Sequence, residues 1–590
     1  METKKRVPLT VNKFAISLLL IFRLFCLSEA QDVVIPDKAF LDALIERGVD
    51  IDNDGLISHA EAESVNCLDI SLIDTVYRDG HWECWPMGNV SSLSGIEAFT
   101  NLDTLICAGN DLMNLLLPDN PGLLYVDCRF CGARTRISHS DQYYVQGGIR
   151  SIDVSKCVDL KYLDCSRNRI SSLDISGIPA LKSLKCSENR LESLFVSQSH
   201  GLTVLNCDHN GLTGLDISEN PSLIDLNCAE NELIFLDIAG NPKLGSLDCS
   251  GNHLLNLNIS NSHELKKLLC ARNELTCLDV TNNPAIRILD CSDNGLTVLN
   301  LARNLALEEL SCGFNQLTEL DVSCNKLLTS LSFPNNSITI LDISNNERLE
   351  ELDCSYNSLF TLDLSNNTEL SSLICGSNLL SYLDVSKNNR LAHLNAGGRN
   401  GHLHNNLRFL DLSKNIALIA LDCSYNQLVG LDLSNNTNLS YLSCGNNRLN
   451  FLDISKNTGL EYLEAENMPT LSCVSVWELP FPSTRIFVDS RGSTNFTYTT
   501  GSCSITGGIG TNSPLGLSIY PNPVKDQLTI VSGKHEGCVF ELTSLNGQLI
   551  YRAELEGTVS RLGLSSLKSG MYILTINCLE FTMNKKIIKY

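Results

Sequence analysis

The chain has 590 residues, 43% hydrophobic and 19% charged, a globular balance that excludes disorder along its whole length. Its net charge is −23, from 44 Lys+Arg against 67 Asp+Glu. Such a surface repels phosphate backbones, so nucleic acid is excluded as the main partner. Its 25 cysteines are too many for a typical cytosolic protein and too evenly spaced for a disulfide-knotted one.

Residues 1–30 read as a secretory signal peptide. Lys4, Lys5 and Arg6 form a basic start, Phe14 to Leu27 is apolar apart from Arg23, and Ser28-Glu29-Ala30 offers small residues for cleavage after Ala30. The apolar run is short for a spanning helix, which takes ~20 residues. The mature protein is expected to leave the cytoplasm with no transmembrane segment.

Residues 31–99 read as an N-terminal cap. Phe40, Leu41, Leu44 and Ile45 share one face of a helix over 36–48. The string DIDNDGLISHAE then fits D-x-[DN]-x-[DN]-G-x5-E from Asp50 to Glu61. In an EF-hand-like loop, Asp50, Asp52 and Asp54 supply carboxylates, Leu56 a carbonyl, Ser58 a direct or water-mediated oxygen and Glu61 a bidentate clamp. Gly55 permits the sharp turn. A structural Ca²⁺ is expected there, against the alternative of a turn that has lost its metal. The segment RDGHWECWPMG (78–88) adds Trp82 and Trp85.

Residues 100–475 repeat. Cysteines stand every 21 residues from Cys165 to Cys312; Phe333, Cys354, Cys375 and Ala396 keep the beat. After a six-residue insertion Cys423, Cys444 and Ala465 continue it, and a 16-residue insertion separates Cys107 and Cys128 from Cys165. Of these 17 beats 14 are Cys, and Asn follows three residues later at 14. In LKYLDCSRNRISSLDISGIPA (160–180), Leu163 and Cys165 alternate with Tyr162, Asp164 and Ser166. That period of two turns Leu and Cys inward and sets the others on an exposed face. Asn can bond turn backbone, and stacked coils would align it into a ladder. No coil buries its own apolar face, so stability must come from neighbours. Each second half carries L-D-[VIL]-S-x-N, extended or weakly stranded rather than helical. Its Asp, in 12 of 15 second-half beats, is expected to accept bonds from turn N–H groups or Ser.

The phrase L-x-x-L-x-[LC]-x-x-N-x-L is the leucine-rich-repeat consensus. The nested 21-residue pattern resembles the bacterial class of these repeats, and the Cys column resembles the cysteine ladder of internalin-type adhesins. The fold class expected is mainly β: a solenoid with a short helical N-terminal cap and a C-terminal β-sandwich. The ladder cysteines read as buried reduced thiols. At 476–503 the phrasing resembles the closing repeat of the same family, whose strand pair is stapled; this implies a Cys473–Cys503 disulfide. Cys67 with Cys84, and Cys131 with Cys157, are weaker candidates. Cys131 and Cys157 each stand at an Asn-type position.

Residues 504–516 read as a linker, and 517–590 as short alternating strands of a β-sandwich. Tyr520-Pro521-Asn522-Pro523, Asn546-Gly547, Ser569-Gly570-Met571-Tyr572 and the basic end with Lys585, Lys586 and Lys589 resemble the sorting domain of type IX secretion cargo. The resemblance implies export through that machinery and release or attachment at the outer surface. An ordinary β-sandwich binding module is the alternative.

No nucleophile elbow, HExxH, phosphate loop or zinc-type spacing occurs, so no enzyme is expected. His402 and His404 lie in the second insertion and read as polar loop residues. The leading expectation is a monomeric secreted or cell-surface protein that binds a protein or glycan. Arg134, Arg136, Tyr143 and Tyr144 of the first insertion are its candidate contacts. So are Tyr162, Asp164, Tyr441 and Tyr462 on the concave strand face. An acidic column with Asp248, Asp290, Asp353, Asp422 and Glu464 suits a basic partner or a cation-bridged glycan. The alternative is a rigid spacer of a surface layer with no ligand.

Overall fold

The structure is a computed structural model. It describes residues 32–479 except 79–80, 87, 118–119, 137–142 and 400–403, and then 486–487, 497–500, 503, 518–520, 524–531, 539–544, 549–554, 559–568, 570–578 and 581–589. The expected signal peptide lies outside the described residues. The chain divides into two units, 1–503 and 504–590.

The first unit is built on one parallel sheet of 19 strands. Three-residue strands such as Tyr162–Asp164, Ser183–Lys185 and Val204–Asn206 pair in register, so that Leu163 meets Leu184 and Leu184 meets Leu205. The middle Leu of each strand and the ladder residue after it are buried, with Cys165, Cys186, Phe333, Ala396 and Ala465 all fully so. Cys, Phe and Ala share this slot because a thiol here acts only as a small hydrophobe.

The sheet starts earlier than the repeat pattern suggests. Its first strand is Cys67–Asp69, paired to Thr104–Ile106, and buried Ile70 holds the ladder slot. The spacing from 70 to 107 is 37, the same as from 128 to 165. Both long intervals are therefore one coil plus a 16-residue excursion. Each excursion contains an antiparallel hairpin: Ile73–Arg78 with His81–Pro86, and Ala133–Arg136 with Tyr143–Gln146. The sheet ends at Ile486–Phe487, beyond the expected solenoid boundary.

Two Asn columns tie coil to coil. In the first, Asn231 donates through Nδ2 to the carbonyls of Cys207 and Cys228 at 3.1 Å, and its Oδ1 accepts from Leu212 N at 3.0 Å. The residue before most of these Asn sits in the left-handed region: φ is 58° at Arg167 and 51° at Tyr425. A non-glycine residue there costs about 1–2 kcal/mol, which the Asn bonds offset in those coils; Gly251 takes the position without that cost. In the second column Asn304 donates to Val280 O and Asn283 O at 3.0 and 2.9 Å, while its buried Oδ1 has no donor among the described residues. Ser199 and Ser262 fill the same slot. Between the columns the second halves are mostly turn. Their LD aspartates bond the turn itself: Asp216 Oδ1 accepts from Ser218 N at 3.0 Å and from Ser218 Oγ at 2.7 Å.

The candidate Cys131–Cys157 and Cys67–Cys84 bridges are corrected. Cys131 replaces an Asn of the first column, and its thiol donates to Cys128 O at 3.3 Å and Cys107 O at 3.7 Å, the carbonyls an Asn would take. Cys157 stands in the second column, so the two thiols belong to different corners and no disulfide joins them. Cys67 carries an exposed thiol.

The caps cover the ends. Helix α1 (Lys38–Glu46) buries Phe40 and Leu44. Asp37 caps it through Ala39 N and Phe40 N, and its other oxygen accepts from Ser91 N and Ser92 N at 2.8 and 2.9 Å. At the far end Phe451–Asp453, Cys473–Ser475 and Thr497–Thr499 form a parallel sheet, closed by a Cys473–Cys503 disulfide with Cα atoms 5.8 Å apart. The second unit is a β-sandwich of a three-stranded and a four-stranded sheet around Leu528, Phe540, Leu542, Leu574, Ile576 and Ile587.

The two columns predict unequal mutant costs. Asn252→Ala removes the bonds to three carbonyls and one N–H and should cost about 2–4 kcal/mol, while Asn304→Ser, which removes an orphaned Oδ1, should cost under about 1.5 kcal/mol. Urea unfolding of the two variants measures the difference, and equal losses would contradict it.

Candidate functional site: the exposed face of the parallel sheet

The first and third residues of each strand form two exposed columns. At the N-terminal end the first column holds Tyr125 and Tyr162, with ring centroids 6.0 Å apart. Beside them Asp127 and Asp164 face one guanidinium: Arg129 Nε lies 3.4 Å from Asp127 Oδ2, and Arg129 Nη1 lies 3.8 Å from Asp164 Oδ2. Burial raises the Asp127 carboxyl above its usual range, with Arg129 opposing and Asp164 and Asp69 adding to the rise. Arg129 and Tyr125 were invisible to the sequence reading because only the register shows which coils they face.

The acidic column is less free than its sequence suggests. Asp164, Asp248, Asp290, Asp353 and Asp422 each use Oδ1 to accept from the backbone N–H two residues on, at 2.9–3.1 Å. One oxygen therefore holds a turn, and at Asp164 the other faces Arg129.

The two hairpins lie together: strand His81–Pro86 packs beside Ala133–Arg136. The first insertion, expected as a loop, is thus a hairpin in which Arg134 pairs with Val145, Thr135 with Tyr144 and Arg136 with Tyr143. In the other, Tyr77 pairs with Trp82 and Asp74 with Trp85. The side chains of both lie outside the described residues.

At the C-terminal end Tyr441 and Tyr462 stack with centroids 4.6 Å apart and planes 2° apart. Glu464 Oε2 lies 3.2 Å from Ser443 Oγ and 3.5 Å from Tyr462 Oη. Burial, then Asp422, Tyr462 and Glu464, push the Tyr441 hydroxyl up to about 12. His404 stacks on Tyr425 at 5.2 Å; His402 lies outside the described residues. A second surface was also missed. Ile234, Phe235, Leu255, Val298, Ile340 and Phe360 are exposed, and all fall six or seven residues after a ladder position. Reading that column down the repeat, rather than along the chain, reveals it.

The EF-hand-like loop differs from its expected ligand set. Ligand oxygens of Asp50, Asp52 and Asp54 lie within 4.8 Å of one another. Glu61 is turned to the backbone instead: Oε1 accepts from Ile51 N, and Oε2 from Ser58 N and Ser58 Oγ, at 2.8–2.9 Å. Ser58 and Glu61 are the capping box of helix α2 (His59–Glu63), not free donors. The Asp54 N–H lowers the Asp52 carboxyl, but desolvation and the charges of Asp54, Glu61 and Asp50 together raise it. The donor set of Asp50, Asp52 and Asp54 fits a hard cation, which would relieve that repulsion.

In the sorting region Tyr520 ends strand Ser518–Tyr520, and Pro521, Asn522, Pro523 and Gly547 lie outside the described residues. Gly570 opens strand Gly570–Cys578, where Tyr572 Oη donates to Lys568 O at 2.8 Å. Lys585 and Lys586 pair with Leu574 and Ile573.

Two solution properties follow. Burial pushes the ladder thiols far up, to about 12 at Cys312, Cys375 and Cys444, so iodoacetamide should label exposed Cys67, Cys277 and Cys324 long before the ladder. Peptide mapping checks this, and early labelling of Cys249 would contradict it. Hydrogen bonds donated to Glu274 and Glu232 on the flanking coils raise His253. The stabilisation it gives is complete below the unfolded pKa near 6.5 and fades as pH rises through the raised folded value. NMR titration should place His253 above 6.5, and Glu232→Gln with Glu274→Gln should return it to about 6.5.

Residues 518–590 match the family described as the secretion system C-terminal sorting domain. No curated protein matches the chain. Among solved structures, the functional domain of InlJ from Listeria monocytogenes, which includes a cysteine ladder, superposes with TM-score 0.50 at 26% identity, covering 74% of this chain and 92% of that one. A leucine-rich-repeat protein of Leptospira interrogans superposes with TM-score 0.50 at 21% identity, covering 62% and 93%. The plant peptide hormone receptor RGFR1, in complex with RGF2, gives 0.52 at 20% identity over 65% and 67%. No described helix is long and apolar enough to cross a membrane. The chain is a leucine-rich-repeat solenoid, similar in fold to a cysteine-ladder protein of the internalin type, that carries a secretion sorting domain, and that domain marks it for release or attachment at the outer cell surface.

Proposed function

We propose that this protein is a non-enzymatic binding protein, exported by the type IX machinery, that captures a protein or glycan partner. Recognition uses the exposed sheet face and the paired hairpins. The observation that carries this reading is the placement of the hairpins. Two separate coils, those of Ile70 and Cys128, each spend 16 extra residues, and a strand of one hairpin lies against a strand of the other. A mere spacer gains nothing from two matched excursions at one end. Arg134, Arg136, Tyr143 and Tyr144 with Trp82 and Trp85 give this end the residue types that dominate binding energy. Tyr162 and Asp164 continue it onto the sheet. RGFR1, which shares the fold, is complexed with RGF2, in keeping with a protein ligand.

A structural Ca²⁺ held by Asp50, Asp52 and Asp54, with the Leu56 carbonyl, belongs to the same reading. It would stiffen the N-terminal cap beside the hairpins. Millimolar Ca²⁺ should raise the melting temperature of the secreted protein by a few degrees over EGTA, and Asp52→Asn with Asp54→Asn should abolish the shift. No shift in the native protein would remove the ion from the account.

Binding is tested by display of the secreted protein against matrix proteins and glycans. Deletion of 132–147 should weaken a saturable ligand by at least about tenfold while leaving the melting temperature within a few degrees. A correctly exported protein with no saturable ligand would favour the spacer.

A further inference from the structure

The residue before each ladder position carries one acidic arrangement at both ends of the sheet. At one end Asp127 and Asp164 share Arg129. At the other the same column runs Asp422, Ser443, Glu464, and Arg129, which directly follows its ladder residue, has no basic counterpart there: the equivalent positions are Ser424, Gly445 and Glu466. No ion pair reaches Asp422 or Glu464 from any described residue.

Next to these carboxylates the first column runs His393, Ala420, Tyr441, Tyr462 on consecutive strands. Neighbouring strands stand about 4.8 Å apart, so His393 and Tyr441 are separated by about 9.6 Å with only the Ala420 methyl between them. A flat group needs about 3.5 Å on each face, so the gap takes one such group and not two. One face of Tyr441 is covered by Tyr462; the other looks into the gap. Asp422 stands two residues from the Ala420 floor, and its carboxylate is fixed by Oδ1 accepting from Ser424 N at 2.9 Å and Ser424 Oγ at 2.6 Å. The gap is thus walled by the Tyr441 ring on one side, floored by a methyl and flanked by oriented negative charge.

We propose that this slot receives an arginine side chain of a basic protein partner, its guanidinium stacked between His393 and Tyr441 over Ala420 and paired with Asp422. The proposal rests on the reading that the sheet face binds a protein. Arginine fits where lysine does not, because its planar group stacks on an aromatic face while its edge pairs with a carboxylate. The chain itself places a guanidinium against this column at Arg129. A neutral sugar ring matches the shape but leaves the charge of Asp422 and Glu464 unanswered.

Tri-arginine and tri-lysine amides carry equal charge, so attraction to the acidic chain cancels in their ratio. Calorimetry on the secreted protein at 0.15 M salt should show tri-arginine binding at least about fivefold tighter. Ala420→Leu fills the slot and keeps every charge; it should bring the ratio to about one. Asp422→Asn should weaken tri-arginine by about tenfold. Asn already stands in this column at Asn227 and Asn395, where its Oδ1 holds the same turn, so that variant keeps the fold. Equal affinities in the native protein, or a ratio that Ala420→Leu leaves unchanged, would overturn the proposal. So would a neutral oligosaccharide whose binding Ala420→Leu abolishes while tri-arginine persists. A protein ligand lost on deleting 132–147 but indifferent to Ala420→Leu would overturn the slot and leave the binding reading standing.

Discussion

The whole solenoid hangs on one bond set: an Asn amide that reaches from its own turn into the turn of the coil before it. Asn273 joins Cys249 O to Cys270 O, and its Oδ1 takes Leu254 N. A three-residue strand cannot hold a coil in place alone. The buried amide fixes both the distance and the register of adjacent coils, because an offset by one residue would strand its donors and acceptor at once. Every other column, apolar or polar, inherits its alignment from that lock.

This explains what the fold tolerates. Extra residues are accepted where they leave the lock intact. Across the six-residue insertion Asn405 still reaches Cys375 O at 3.0 Å and accepts from Leu380 N at 2.9 Å. Across the longer one Asn168 reaches Cys128 O at 3.0 Å and accepts from Ile149 N. Recognition elements can therefore be grafted without disturbing the ladder. The exposed columns are free to vary, and they do: a self-neutralised acid cluster at one end and, among the described residues, one without an ion pair at the other.

The repeat, the inward Leu and Cys columns and the turn-holding role of the LD aspartates were legible because each depends on residues close in sequence. The Ile70 coil was not, since Ile replaces Cys there and a hairpin breaks the beat before the next coil. Cys131 was placed correctly at an Asn-type position, yet its thiol acts as a hydrogen-bond donor where a disulfide was weighed. Glu61 matched a metal-clamp position, but the same spacing from Ser58 makes a capping box, and local backbone donors hold its oxygens. The slot over Ala420 could not be seen at all along the chain. It exists only because residues 393, 420 and 441 stand side by side, at intervals of 27 and 21.

The most direct test of the account is native-state hydrogen exchange along the solenoid of the secreted protein. The amides that donate to the Asn carbonyls, including Leu212, Leu233 and Leu254, should exchange together and slowly, and Ile149 and Leu380 beside the insertions should match them. Rapid exchange confined to Ile149 or Leu380 would show that the insertions break the lock, and the continuous inter-coil ladder would be contradicted.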